Sequence, residues 1–225
     1  MVDSHTQAAV ATGTTAAEQN KTLRSTYRLL SMTLFFSAIT AYTSFALNLP
    51  HPGFIITLAG YFGLLFLTSY LRNSAWGILS VFALTGFMGY TLGPLINYYF
   101  QTVSNAGELV ALAAGTTAVA FVGLSAYARS EKAIDMSQFG QFIMIGILVA
   151  FCLAIAAYFM QLSGLSLAVS GLFVLLMCGL IMWQTQEIVR GGETNYIMAT
   201  VTLFVSIYNL FTSLLHIFGF MGDDG

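Results

Sequence analysis

Thr202, Ser206, Asn209, Ser213 and His216 follow one another at steps of four, three, four and three residues. That spacing places all five on one face of a helix. The stretch around them, Tyr196 to Phe220, is apolar enough to cross a membrane. A face of hydroxyls, an amide and an imidazole is costly in lipid, so it should turn toward the interior of a bundle. The chemistry open to it is narrow. Ser206 and His216 are about 15 Å apart along a helix axis, too far for a nucleophile–base pair. No carboxylate stands in the stripe. The acidic residues Asp3, Glu18, Glu108, Glu131, Asp135, Glu187, Glu193, Asp223 and Asp224 all avoid the depths of the apolar runs, and no His-Glu-x-x-His occurs. Intramembrane proteolysis would need buried aspartates, a Ser–His pair or a zinc motif. The chain is therefore expected not to be an enzyme.

Other residues carry weaker signals. Cys152 and Cys178 both fall inside apolar runs, where thiols pack as small hydrophobes, and no metal-ligand spacing exists. No metal or cofactor is expected. Glu187, Arg190 and Glu193 flank Gly191-Gly192 in the loop expected before the last span. They read as a solvated loop with ordinary salt bridges, or as a cytoplasmic docking or gating element. Gly89 and Gly93 form a small-xxx-small pair just before Pro94. They read as close helix packing with a proline kink, or as a hinge.

The elements that must position these residues follow from composition. Of 225 residues, 57% are hydrophobic and 7% charged, and mean hydropathy is +0.81. Soluble domains carry roughly 25% charged residues, so this chain is expected to be an all-α integral membrane protein in the lipid bilayer. With no basic cluster to neutralise phosphates, nucleic acid is excluded as a partner. Continuous apolar runs predict seven spans: Tyr27–Leu49, Gly53–Leu71, Ala75–Tyr99, Leu109–Ala128, Phe139–Leu162, Leu165–Trp183 and Tyr196–Phe220. With seven spans, Lys21, Arg24, Arg28, Arg72, Arg129, Lys132 and Arg190 all lie on the side of the N-terminus. The positive-inside rule makes that side cytoplasmic and places the C-terminus outside. The first twenty residues lack an apolar core, so no cleavable signal peptide is expected. Residues 1–22 are expected to form a disordered cytoplasmic tail, and 23–225 the membrane domain.

Three stretches together resemble a known family: "NKTLRSTYRLLSMTLFFSAITAY", "GFMGYTLGPLINYY" and "GGETNYIMATVTLFVSIYNLFTSLL". They are similar to the Bax-inhibitor-like seven-span proteins. The wording "IVRGGETNYI" and "LFVSIYNLF" resembles the bacterial YccA branch. The resemblance implies a seven-helix bundle whose last helix is central, surrounded by the other six. It also implies a bacterial inner-membrane location, with the C-terminus periplasmic.

In the calcium-leak members of the family, two aspartates form a pH-sensing pair. The matching positions here are Gln184 and Ser206. Neither titrates, and neither supplies charged oxygen to a hard cation. Both can still hydrogen bond, with each other or with backbone carbonyls, and a direct Gln184–Ser206 bond is the sharper of these expectations. The YccA-branch resemblance implies a modulator of the membrane AAA+ protease FtsH, both slow substrate and competitive inhibitor, associating with the HflK–HflC partners. The alternative is an ion leak, for calcium or protons, weakened by the loss of the aspartate pair.

Overall fold

The computed structural model describes the backbone of residues 4–223 and the side chains of 17–222. Seven long helices form in chain order. They are α1 (Ser4–Ala46), α2 (Phe54–Leu71), α3 (Trp76–Thr102), α4 (Ala106–Ala128), α5 (Gly140–Met160), α6 (Ser163–Arg190) and α7 (Tyr196–Asp223). A 3₁₀ turn, Ser137–Phe139, leads into α5. All seven are long and apolar enough to cross a membrane.

Two helices outrun their expected spans by more than a turn. α6 passes Trp183 and continues to Arg190, so Glu187 and Arg190 stand on its last turn and only Glu193 lies in the loop. A helix ends where its backbone meets a breaker, and none occurs before Gly191. α1 likewise begins before its expected span and includes Ala17–Thr22. The rest of the expected tail falls largely outside the described side chains.

The ends of the helices are written in the sequence. After α1, Asn48 takes φ 49 and Pro50 and Pro52 follow. At the end of α6, Gly191 takes φ 81. Its N–H donates to Ile188 O, and that of Gly192 donates to Glu187 O. This 5→2 and 6→1 pairing is the Schellman motif, whose left-handed residue favours glycine. Three residues later, Asn195 caps α7, its Oδ1 accepting from the N–H groups of Ile197 and Met198 at 3.0 and 3.1 Å. One short segment thus stops α6 and starts α7.

α7 packs against α1, α3, α4 and α6, while α2 leans on α3 and α5 on α6. The last helix is central, but four helices, not six, are its close neighbours. Its first and second halves bury different clusters. One joins Leu29, Leu30, Val81, Leu84 and Met88 to Ile197, Leu203 and Phe204. The other joins Leu109, Ile143, Leu176, Met177 and Ile181 to Leu210, Leu214 and Leu215. Large apolar side chains such as Phe66, Val119 and Phe142 point outward, as a lipid solvent permits.

Candidate functional site: the polar face of the central helix and the anchor at its basic end

The stripe on α7 faces inward. Ser206 is fully buried and Ser213 nearly so, with Thr202, Asn209 and His216 half-buried. Most of its hydrogen bonds stay on its own helix. Ser206 Oγ donates to Thr202 O at 2.7 Å, and Asn209 Nδ2 to Val205 O at 2.8 Å. A hydroxyl returned to the i−4 carbonyl is satisfied without a neighbour. The stripe therefore glues α7 to other helices less than its composition promises.

His216 is the exception. Its Nδ1 lies 2.8 Å from Ser170 Oγ on α6. Ser170 also donates to Ser166 O at 3.1 Å. A serine has one proton, so with that donation made, the imidazole N–H is the donor to Oγ. In this assignment the ring is not a base for Ser170, and no described carboxylate orients it. The signal for this partner was present: Ser163, Ser166 and Ser170 sit three and four apart on α6. Beside them, a crevice of about 210 Å³ is lined in part by Ser166, Ser170, Asn209, Thr212 and Ser213. Its polar groups are neutral, suited to water and poor for a hard cation. Among the described residues no group of His, Cys, Asp and Glu could hold a metal ion.

Gln184 and Ser206 do not bond to each other. Gln184 is 3% exposed and its Nε2 has no partner, while Ser206 is engaged with Thr202 O. Of the two alternatives Ser206 takes the backbone carbonyl, because the nearest acceptor for a helical serine is its own i−4 carbonyl.

Interhelical polar contacts lie instead off the stripe. Thr91 Oγ1 meets Tyr208 Oη at 3.0 Å, and Thr200 Oγ1 approaches Thr26 O at 3.3 Å. The Gly89–Pro94 segment is another such place. Pro94 has no N–H, which orphans the carbonyl of Tyr90 one turn earlier. Ser44 of α1 fills the gap, its Oγ donating to Tyr90 O at 2.9 Å. α3 stays continuous from Trp76 to Thr102. A side chain at Gly89 would collide with Ser37 and Thr40, and one at Gly93 with Ser44.

The end of the bundle that carries the basic residues is tied by loops. Asn195 Nδ2 donates to Arg72 O at 3.1 Å and to Asn73 Oδ1 at 2.9 Å. Glu193 Oε1 accepts from the Asn195 N–H at 2.7 Å. Gln186 holds the α4–α5 loop, accepting from Met136 N and donating to Ile134 O, both at 2.8 Å. Arg190 pairs with Asp135. That guanidinium, helped by hydrogen bonds from Ser137, holds the Asp135 carboxyl down at about 2. Glu193 and Arg190 thus each have a structural task, as do Gln186 and Asn195, which the sequence reading did not single out.

These helices and caps can be set beside known proteins. The family model described as "Inhibitor of apoptosis-promoting Bax1" matches residues 19–223. The chain belongs to that family. An Escherichia coli K12 protein named "Modulator of FtsH protease YccA" is 49% identical over 94% of this chain and 95% of its own. A Pseudomonas aeruginosa relative, named as uncharacterized, is 51% identical over 92% of each chain. A Vibrio cholerae relative, named "Uncharacterized membrane protein", is 39% identical over 92% of each. The family match begins at Gln19, within the helical extension of α1, and runs through Asp223, the last residue of α7. The seven-helix bundle with α7 at its centre is thus the family's unit in this chain, and the chain is a multi-pass inner-membrane protein.

Proposed function

We propose that this chain is a modulator of the FtsH protease, held by the protease as a slow substrate and so acting as its competitive inhibitor. One observation carries the reading: near-half identity, over almost the whole of both chains, to the E. coli protein of that name. The physical route has two parts. The segment before α1 enters the membrane offers the protease an end to grip, and Ala17, Glu18, Asn20 and Lys21 are solvent-exposed there. Behind it stand seven apolar helices. Drawing each into water exposes apolar surface at roughly 25 cal/mol per Å². A substrate that is easy to seize and hard to extract occupies the protease for long.

In this reading the N-terminus is cytoplasmic, the C-terminus periplasmic, and the HflK–HflC partners join the complex. Affinity capture of the tagged protein in mild detergent, beside a form lacking residues 2–18, tests it. Both forms should recover FtsH with HflK–HflC, and only the intact form should be degraded. Failure of both to recover the protease rejects the modulator reading. Degradation of the shortened form at the normal rate rejects the tail as the grip.

The ion-leak alternative is supported less. Gln184 and Ser206 stand where a titrating pair would be needed, and Ser206 is bonded to its own helix. A hinge at Gly89, Gly93 and Pro94 would have to break the Ser44–Tyr90 bond and the close α1–α3 contact.

A further inference from the structure

Beside α7, helices α1 and α4 flank a cleft without packing closely on each other. It has a volume of about 350 Å³ and lies at mid-helix depth, with Leu34 and Ala38 on one wall, Ala118 and Val122 on the other, and Phe204 and Tyr208 as floor. The walls are apolar and their outer residues, Ala38, Ala118 and Val122, are exposed. Helical spacing extends each wall toward the end of the bundle that bears the basic residues. On α1 the face runs Ala38, Leu34, Ser31, Tyr27, Arg24; on α4 it runs Ala118, Val122, Ser125, Arg129. The two faces meet there. The Tyr27 and Phe121 rings are 5.9 Å apart, and the Arg129 guanidinium lies 5.8 Å over the Tyr27 ring.

Two observations point to a ligand at this meeting place. Ser125 is 2% exposed with its Oγ unpartnered, and the buried Tyr27 hydroxyl also lacks a partner. Buried polar atoms are normally satisfied. Moreover, Arg24 and Arg129 pair with no carboxylate among the described residues; the one ion pair found there is Arg190–Asp135. Among the described residues Arg129 makes one side-chain hydrogen bond, its Nε donating to Ser125 O at 3.0 Å, and its outer N–H groups meet no acceptor there. An apolar trough at mid-membrane, whose walls run on by helical spacing to two guanidinium groups unpaired among the described residues, matches a lipid with an acidic head.

We infer that the α1–α4 cleft binds an anionic phospholipid, with an acyl chain in the trough and the phosphate at Arg24 and Arg129. The full-length protein in detergent is titrated separately with phosphatidylglycerol, phosphatidylethanolamine and inorganic phosphate, with bound lipid counted by native mass spectrometry. Phosphatidylglycerol should bind at least tenfold more tightly than phosphatidylethanolamine, and inorganic phosphate should not compete with it. The exposed double variant Arg24→Gln/Arg129→Gln should erase that preference, whereas Arg72→Gln, at the same end of the bundle but off the cleft, should keep it. Ala118→Phe, or Val122→Trp if the first does not fold, should weaken both lipids. Equal binding of the two lipids by the unaltered protein overturns the site. So does a preference that survives the double arginine variant, is lost equally in Arg72→Gln, or is abolished by inorganic phosphate.

Discussion

Along its α3 flank, α1 meets glycines; along its α4 flank it meets a gap. On the first side Ser37, Thr40 and Ser44 press against Gly89 and Gly93, so closely that no Cβ fits, and Ser44 completes the hydrogen bonding that Pro94 interrupts. On the second side α1 and α4 stand apart over α7, and polar atoms of Tyr27 and Ser125 go unmatched. The contrast teaches how a bundle in lipid is sealed. Water gives no hydrophobic drive between helices there, so close approach and satisfied backbone groups do the holding. Where small residues face each other the seam closes. Where they line only the walls of a trough, the surroundings must fill it.

The largest expected effect breaks the closed seam. Gly89→Ala forces α1 from α3 against Ser37 and Thr40 and should cost about 1–3 kcal/mol, the range for overpacking. Reversible unfolding in mixed micelles measures it. Ser44→Ala should cost about 1 kcal/mol, near the upper range of membrane hydrogen bonds. The Pro94→Ala background restores a donor for Tyr90 O, so there the Ser44→Ala penalty should shrink to near zero in a double-mutant cycle. Gly123→Ala lies on the α4 side, where nothing stands within 4 Å of an added Cβ. It should be neutral or stabilising by up to about 1 kcal/mol, since alanine favours the helix. Equal penalties at Gly89 and Gly123 would erase the contrast.

The smallest effect concerns the loop that ties the end of α4 to α6. Arg190 holds the Asp135 carboxyl well below the usual range, to about 2. A depressed carboxylate stabilises above its unfolded value and loses that contribution as pH falls through its folded value. The pair should therefore persist unchanged from pH 8 down to about 4 and be lost only toward pH 2. The difference in unfolding midpoint between Asp135→Asn and the unaltered protein should be small and flat across pH 5–8.

Much of the fold could be read from residue order. Seven apolar runs became seven helices, and Tyr196 was placed as the first residue of α7. The inward turn of Thr202, Ser206, Asn209, Ser213 and His216 followed from spacing, because a polar face has one tolerable direction in lipid. Helix ends past the apolar runs were missed at Arg190, since the bilayer edge and the helix breaker are different boundaries. Partners were harder still. Serine can bond to its own helix or to a neighbour at similar cost, and spacing does not say which; Ser206 took the first course and Ser44 the second. Pro94 was the overlooked clue, because a missing N–H implies a donor nearby.

The most direct measurement is a reconstituted competition. FtsH in proteoliposomes degrades a labelled membrane client while the full-length chain is added in rising amounts, and both half-lives are followed. A slow substrate that holds the protease should lengthen the client's half-life in proportion to its own concentration while disappearing gradually itself. An unchanged client half-life at excess chain, or rapid loss of the chain with no sparing, would contradict the modulator function.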